Sequence, residues 1–251
     1  MLALLSPAKS LDYSSRIPDI ASTDIRFPKQ TKELARAAAK LKAADLKRIM
    51  HISDALAELN AGRYSDFFDQ PERPAIYAFS GDVYVGFEAG TLPPESIDFA
   101  QDHVRILSGL YGLLRPLDSI RPYRLEMGTR WAPKAKNLYG YWGDRIAAMI
   151  AQDMAELGTD VLVNLASNEY WRAAQTHIPS PIRVISIDFR EEGPNGLRFN
   201  SFAAKRARGM MARYMCEHHL SEPESLKSFD SDGYVHDPDG SEENIWRFVR
   251  R

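Results

Sequence analysis

The sequence predicts a single α/β domain over residues 1–251, in which helices surround a mixed β-sheet. No low-complexity segment or Pro/Gly/Ser-rich linker divides the chain, and its length supports one substantial core. Short apolar runs typical of buried strands alternate with longer stretches in which apolar residues recur at helical spacing. Hydrophobic residues make up 44% and charged residues 26% of the chain, which is typical of a globular protein.

The N-terminal third is predicted to contain a strand, a group of helices and a second strand. Leu2–Leu5 is an apolar run that stops at Ser6 and Pro7, which indicates a buried strand followed by a turn. From residue 29 to 67 apolar residues recur every three or four positions, so two or three helices are expected there. Residues 75–79 are predicted to form another strand, which ends before Gly81.

The next predicted helix begins at Pro94 and continues to Leu107, where it meets an apolar turn that contains Gly109 and Gly112. This order is similar to a helix-hairpin-helix element, in which backbone N–H groups contact DNA phosphates without reading the bases. The hairpin glycines are separated by two residues rather than the usual one, and Pro116 leaves little room for an immediate second helix. A helix C-cap is the alternative explanation for Gly109.

The second half of the chain is predicted to alternate between helices and strands. These elements are a helix at about residues 144–157, strands at 161–165, 183–189 and 197–200, a helix at 202–220 and a terminal strand at 245–249. The apolar stripe of the helix at 202–220 is predicted to consist of Ala203, Ala207, Met210 and Tyr214. Its basic residues avoid that stripe, with Lys205 and Arg208 on one flank and Arg206 and Arg213 on the other.

The charge of the chain is small overall but strongly polarised. The formal net charge is −2, which argues against a protein that coats nucleic acid over its whole surface. Residues 105–136 and 198–213 each carry a net charge of +5, whereas residues 217–244 carry −8. A focused basic cleft is therefore expected to attract polyanions, although the acidic segment could instead pair with the basic helix.

Residues 107–128 are predicted to form a site for an anionic ligand, with phosphate as the obvious candidate. Several glycines and prolines give this segment unusual backbone conformations and stiffness. Arg115, Arg121 and Arg124 supply fixed positive charge within it. The alternative is a rigid structural loop whose arginines pair with acidic residues elsewhere in the chain.

The cysteine content and the apolar runs predict a cytoplasmic protein. The single Cys216 permits no internal disulfide and no cysteine metal cluster, which agrees with a reducing compartment, and a buried thiol is expected. The N-terminal segment has no basic region typical of a signal peptide, and no apolar run is long enough to span a bilayer. No membrane partner is expected.

Common cofactor motifs are missing from the sequence. It contains no P-loop, no dinucleotide fingerprint, no nucleophile elbow and no His-x-x-x-His pair, so neither a cofactor nor a metal centre is predicted. The catalytic candidates are Lys9, Asp82, Glu126 and Glu169, which lie in motifs at predicted strand ends and turns. Sequence spacing does not show whether these groups meet in space.

Five ordered blocks of the chain resemble the YaaA family of bacterial peroxide-stress proteins. They are Ser-Pro-Ala-Lys-Ser-Leu-Asp at residues 6–12, Gly-Asp-Val-Tyr-Val-Gly at 81–86, the segment at 107–128 with its Pro-Tyr-Arg-Leu-Glu-Met-Gly ending, Asn-Leu-Ala-Ser-Asn-Glu-Tyr at 164–170, and Lys-Arg-Ala-Arg-Gly at 205–209. Together they span nearly the whole chain. Any one of them alone would be a weak indication.

The resemblance implies an unusual fold, a positively charged cleft that binds double-stranded DNA, and a helix-hairpin-helix element. It also implies survival of hydrogen peroxide stress, with lower free intracellular iron and less DNA damage. The residues that it implies as DNA or phosphate contacts are Lys9, Arg115, Arg124, Lys205, Arg206 and Arg208.

An enzyme that acts on a small phosphorylated or nucleotide-like substrate is the alternative function. In that case Lys9, Asp82, Arg124, Glu126 and Glu169 would converge in the cleft, and the aromatic rings of Tyr84, Tyr111 and Tyr123 would be available to stack a base. A long open basic groove would favour DNA binding, whereas a deep pocket with paired carboxylates would favour catalysis. An iron-handling protein is a third hypothesis, which the ligand inventory supports poorly.

Overall fold

The computed structural model describes residues 1–251, in which ten helices and twelve strands build a mixed α/β fold. The helices are α1 Pro28–Ala38, α2 Ala43–Met50, α3 Asp54–Ser65, α4 Ala75–Ala78, α5 Asp82–Phe87, α6 Pro94–His103, α7 Leu138–Trp142, α8 Arg145–Leu157, α9 Asn168–Trp171 and α10 Ser201–Glu217. The strands are β1 Leu2–Leu5, β2 Ser10–Leu11, β3 Arg73–Pro74, β4 Phe79–Ser80, β5 Val104–Ser108, β6 Gly112–Leu114, β7 Ser119–Ile120, β8 Val161–Asn164, β9 Arg183–Gly193, β10 Gly196–Arg198, β11 Tyr234–His236 and β12 Ile245–Arg250.

The main sheet is mixed, as predicted. Its strand order is β11-β12-β9-β8-β1-β5-β6, and β10 pairs with the far end of β9. The five strands from β12 to β5 run parallel, whereas β6, β10 and β11 are antiparallel to their neighbours. All four residues of β1 are buried because helices or loops cover both faces of this central strand.

The order of the parallel strands creates a switch point between β1 and β8. From β1 the chain crosses to β5 on one side, and from β8 it crosses to β9 on the other side. The loops that follow β1 and β8 therefore leave the sheet in opposite directions and open a crevice at its carboxyl edge. In open α/β sheets, ligands bind in such crevices.

Several predicted elements are confirmed. The three helices α1, α2 and α3 occupy the stretch for which two or three helices were predicted, and β1, β8, β9, β12 and α8 lie at or close to their predicted positions. Residues 75–78 form a short helix rather than a strand. The N–H groups of Ala75 and Ile76 donate to the carbonyl oxygens of Asp118 and Pro116, in the loop after β6. Residues 75–78 therefore pair with this loop and not with a strand of the main sheet.

The segment after α6 differs from its prediction. The helix ends at His103, and the buried run Val104–Ser108 is a strand that pairs with β6 in a β-hairpin. Gly112 has a φ of +74°, and a Cβ atom there would lie 2.7 Å from the Trp142 ring. The helix-hairpin-helix element predicted for this segment is therefore wrong, because the segment is a core β-hairpin.

Helix α10 packs closely on α5. A Cβ atom at Gly209 would lie 1.8 Å from the carbonyl oxygen of Val83, and one at Gly86 would lie 2.1 Å from the carbonyl oxygen of Arg206. The two backbones are therefore in contact at this crossing, which only glycine permits. Since Gly86 and Gly209 end two of the five motif blocks, this contact gives a physical reason for their presence.

The buried face of α10 is rotated from the predicted stripe. Ala204, Ala207, Met211 and Met215 are buried, whereas the predicted members Ala203, Met210 and Tyr214 are half-buried. Cys216 is buried as expected, and burial raises the pKa of its thiol. None of the helices combines the length and the apolar composition that crossing a bilayer requires.

Candidate functional site

A cleft of about 1050 Å³ lies at the switch point between β1 and β8. Its walls are the loops after these two strands, the start of α5, the middle of β9 and the first half of α10. The lining residues are Ser6–Ser10, Ser80–Val83, Leu165, Ser167–Tyr170, Ser186–Asp188, Arg190, Phe199, Ser201, Lys205, Arg208 and Ile245. This volume is at the upper end of the range for small-molecule sites in proteins.

Hydrogen bonds fix the two loops that form the cleft. The N–H of Ser167 donates to Ser6 Oγ at 2.9 Å, which joins the loop after β8 to the loop after β1. The hydroxyl of Tyr84 donates to the carbonyl oxygen of Ser6 at 3.0 Å, and Asn164 Oδ1 accepts the N–H of Ala166. These contacts hold the cleft walls in place before any ligand binds.

The charge of the cleft is mixed rather than uniformly basic. Its cations are Lys9, Arg190, Lys205 and Arg208, and its carboxylates are Asp82, Glu169 and Asp188. Lys205 Nζ lies 3.9 Å from Asp82, and Asp188 accepts hydrogen bonds from Arg190 and Arg247. The predicted basic cleft is therefore reduced to a small excess of positive charge in which most cations have a local partner.

Arg208 is the cation of the cleft that lacks a partner. Its Nε is sealed from solvent and makes no hydrogen bond. Burial lowers the pKa of this guanidinium, and the charge of Asp188 only partly opposes that effect. A partly dehydrated guanidinium without a carboxylate partner is suited to bind an anionic group that enters the cleft.

A second, much smaller pocket adjoins the cleft and contains Glu126. Its volume is about 10 Å³, and it shares Pro7, Ala8, Lys9 and Tyr170 with the cleft lining. Glu126 Oε1 accepts a hydrogen bond from Arg124 Nε at 2.9 Å and lies 3.8 Å from Lys9 Nζ. Glu126 Oε2 is buried without a hydrogen-bond partner. We call this pocket the Glu126 corner.

The structure places the predicted catalytic residues together. Lys9, Asp82 and Glu169 line the cleft, and Glu126 lies in the adjoining corner. Glu169 Oε1 accepts the N–H of Gly128 at 2.9 Å, which ties the segment that carries Glu126 to the loop after β8. Lys9 pairs with Glu126, and the neighbouring Asp12 accepts hydrogen bonds from the N–H groups of Ser14 and Ser15.

Four of the six predicted phosphate contacts line the cleft or the Glu126 corner, and two lie outside both. Lys9, Lys205 and Arg208 line the cleft, and Arg124 lines the Glu126 corner. Arg206 is exposed outside the cleft lining. Arg115 forms a salt bridge with the buried Asp118 at 2.8 Å and donates to the carbonyl oxygen of Asp24, so this arginine has the structural role that the sequence offered as the alternative.

The tyrosines predicted to stack a base are core residues. Tyr84, Tyr111 and Tyr123 are buried, and burial raises the pKa of each. Their hydroxyls bond to protein groups, since Tyr111 accepts the N–H of Arg121 and Tyr123 pairs with Ser108. The prediction of a stacking role for these three rings is therefore wrong, because the core covers them.

Sequence reasoning missed the contribution of β9 to the cleft. Ser186, Asp188 and Arg190 are spaced by two residues, so they share one face of β9, and all three line the cleft. The signal was present, because the alternation of polar and apolar residues at 183–189 predicted this strand. Phe199, whose side chain is exposed at the cleft, had no sequence signal of its own.

Comparison with known proteins identifies the family of this chain. A family model described as "Peroxide stress protein YaaA" matches residues 1–240. The chain belongs to the YaaA family of peroxide-stress proteins. The resemblance inferred from the five motif blocks is thus confirmed, and membership supports a role in the peroxide-stress response.

Curated relatives of this YaaA-family chain match along their whole lengths. A UPF0246 protein of Rhizorhabdus wittichii is 63% identical over 251 residues, which cover 100% of this chain and 99% of the relative. A UPF0246 protein of Jannaschia sp. is 46% identical, with 100% of this chain and 97% of the relative covered. The UPF0246 protein Bpet1601 of Bordetella petrii is also 46% identical, with both chains fully covered.

The YaaA motif blocks meet at the cleft. The blocks at 6–12, 81–86, 164–170 and 205–209 each contribute to its lining, and the block at 107–128 supplies Arg124 and Glu126 to the adjoining corner. Blocks that are far apart in the sequence therefore build one site.

Proposed function

We propose that this peroxide-stress protein binds double-stranded DNA through the cations of its cleft, and that binding limits iron-dependent oxidative damage to the DNA. The proposal rests on the position of three cations in the cleft. Lys9, Lys205 and Arg208 come from two distant motif blocks and line the same cleft, where Arg208 has no partner. Guanidinium and ammonium groups in such a position are typical contacts to backbone phosphates.

The dimensions of the cleft suggest how a duplex would lie. Its volume suits a ligand of nucleotide size, so the duplex would cross the mouth and present one phosphate to Arg208. The side chains of Lys9 and Lys205 are 67% and 48% exposed, and they would reach neighbouring phosphates. Arg206, on the outer side of α10, is the further predicted contact.

Binding to DNA phosphates offers a physical route to less iron damage. Cations condense on the duplex, and a protein that neutralises phosphates releases them into solution. Ferrous iron is such a cation, so occupied phosphates would hold less of it. Peroxide would then generate fewer radicals beside the bases.

A salt series with labelled duplex DNA tests the proposal. The double variant Lys205→Gln, Arg208→Gln should bind about tenfold more weakly than the wild type near 50 mM salt, with a shallower salt slope. The expected change in slope is about two, because two phosphate contacts are lost. Fluorescence anisotropy between about 50 and 200 mM salt measures both quantities.

Lys32→Gln is the matched control, because Lys32 is exposed on α1 and does not line the cleft. It should leave the binding free energy within about 0.5 kcal/mol of the wild type and the salt slope unchanged. Equal binding by the double variant and the wild type would contradict the cleft as the DNA site.

An enzyme acting on a small phosphorylated or nucleotide-like substrate is the second candidate. The observation that favours it is the convergence of Lys9, Asp82 and Glu169 in a cleft at the switch point, with Glu126 beside them. Ligands of α/β proteins occupy this position, and paired carboxylates favour acid–base chemistry. In both proposed functions Arg208 is the residue that contacts a phosphate group of the ligand.

A further inference from the structure

The Glu126 corner contains a buried carboxylate oxygen that has no partner within the protein. Buried polar atoms in proteins are almost always hydrogen-bonded, either to protein groups or to water. The corner has a volume of about 10 Å³, which is the space that one water molecule needs. Glu126 thus lines a space suited to a single water at the wall of a ligand-sized cleft, and its Oε2 has no hydrogen-bond partner within the protein.

The protein holds Glu126 rigidly in this position. Arg124 Nε donates to Glu126 Oε1, and the hydroxyl of Tyr64 donates to the carbonyl oxygen of Arg124 at 2.9 Å. A Cβ atom at Gly109 would lie 2.1 Å from the carbonyl oxygen of Leu125, so this glycine allows the β5–β6 hairpin to press directly on the segment before Glu126. A preorganised carboxylate is what general-base catalysis requires.

Lys9 supplies the complementary proton donor. Its Nζ lies 3.8 Å from Glu126 Oε1, yet its side chain is 67% exposed and belongs to the linings of both the corner and the cleft. A carboxylate and an ammonium group side by side can accept a proton from one reacting group and give one to another. They can also exchange a proton to restore their starting states.

We infer that Glu126 holds and deprotonates a water molecule that hydrolyses the N-glycosidic bond of a nucleotide bound in the cleft. This inference rests on the second function proposed above, a nucleotide-like ligand in the cleft. Arg208 binds the phosphate of the nucleotide, and the exposed ring of Phe199 stacks on its base. Cleft and corner together thus supply a contact for each part of such a ligand.

The carboxylates of the site favour glycosidic chemistry. The sugar carbon of an N-glycoside develops positive charge as its bond to the base lengthens, and neighbouring carboxylates stabilise that charge. Glu169 lines the cleft and accepts the N–H of Gly128, two residues beyond Glu126, so it is the second carboxylate available to that charge.

The atoms and charges balance in one step. The water oxygen forms a bond to C1′ of the pentose while the C1′–N bond breaks, and the electron pair of that bond leaves with the base. The Glu126 carboxylate takes the proton from the water, and Lys9 Nζ gives a proton to the departing nitrogen. Proton transfer from Glu126 back to Lys9 resets the site, and the products are the free base and a pentose phosphate.

The test measures binding and turnover separately with AMP, GMP, CMP and UMP as probes. Isothermal titration calorimetry measures the binding of each nucleotide, and chromatography measures the release of free base. The wild type should bind at least one probe and release its base. Glu126→Gln, which keeps the size of the side chain, should lower that rate at least 100-fold and change the affinity less than threefold.

Glu95→Gln is the matched control, since Glu95 is exposed on α6 outside the cleft, and it should retain the wild-type rate. Lys9→Met should also slow base release, and it provides a second variant if Glu126→Gln does not fold. Binding of a probe without base release by the wild type would overturn the hydrolytic step and leave the nucleotide site standing. Failure to bind any of the four probes would overturn the nucleotide site, and with it the hydrolytic step.

Discussion

Replacement of Gly209 by alanine is expected to destabilise the protein by about 3 kcal/mol, at the upper end of the cost of overpacking. The added Cβ would lie 1.8 Å from the carbonyl oxygen of Val83 and 2.8 Å from the backbone nitrogen of Phe87. Both are main-chain atoms of α5, so no side chain can move aside. The helices would have to separate, and Lys205 and Arg208 would move away from Asp82. Urea unfolding at equilibrium measures the loss.

Gly62→Ala is the matched control for Gly209→Ala. Gly62 also lies within a helix, α3, but a Cβ atom there would have no neighbour within 4 Å. Alanine is the better helix former, so this variant should gain up to about 1 kcal/mol. The account of the α5–α10 crossing is contradicted if both variants have the stability of the wild type.

Replacement of Asp153 by asparagine is expected to cost about 3–5 kcal/mol, because it leaves the buried Arg105 and the partly buried Arg26 without their counter-ion. The side chain of Asp153 on α8 is 1% exposed. It bonds to Arg105 Nε on β5 at 2.6 Å and to Arg26 at 2.8 Å. Burial already lowers the pKa of Arg105, and the charge of Asp153 is the main force that opposes this shift. Asparagine keeps the shape of the side chain but removes that charge.

The control for Asp153→Asn is Asp54→Asn, which breaks the exposed ion pair with Lys47. Since Asp54 is 83% exposed, its removal should change the free energy of unfolding by no more than about 0.5 kcal/mol. Thermal and urea unfolding should rank the two variants in the same order. A small effect of Asp153→Asn would show that water or other groups satisfy both arginines in its place.

The parts of the fold that follow from local patterns could be predicted from the sequence. The apolar run of β1, the alternation in β9 and the helical spacing over 29–67 each reflect burial of one face or one element. The hairpin at 104–114 could not be predicted in the same way. Its residues continue the apolar spacing of α6, and only the pairing of Ile106 with Leu114 and of Ala3 with Val104 makes them strands.

The loops of the candidate site could be predicted from local patterns, but the pairing of its charged residues could not. The loops after β1 and β8 were identified because polar residues follow apolar strands, and the parallel sheet brings them together. The sequence does not show which cations remain unpaired. Arg115 and Arg208 look alike in the sequence, yet one pairs with the buried Asp118 and the other faces the cleft alone.

Hydrogen exchange of the protein with and without duplex DNA tests the central claim, that the cleft at the β1–β8 switch point is the phosphate-binding surface. Added duplex should slow exchange in residues 6–10 and 165–170 and at the start of α10, because these segments form the cleft walls. Exchange in the acidic segment after α10 should not change. Unchanged exchange in all three cleft segments at saturating DNA would contradict the claim.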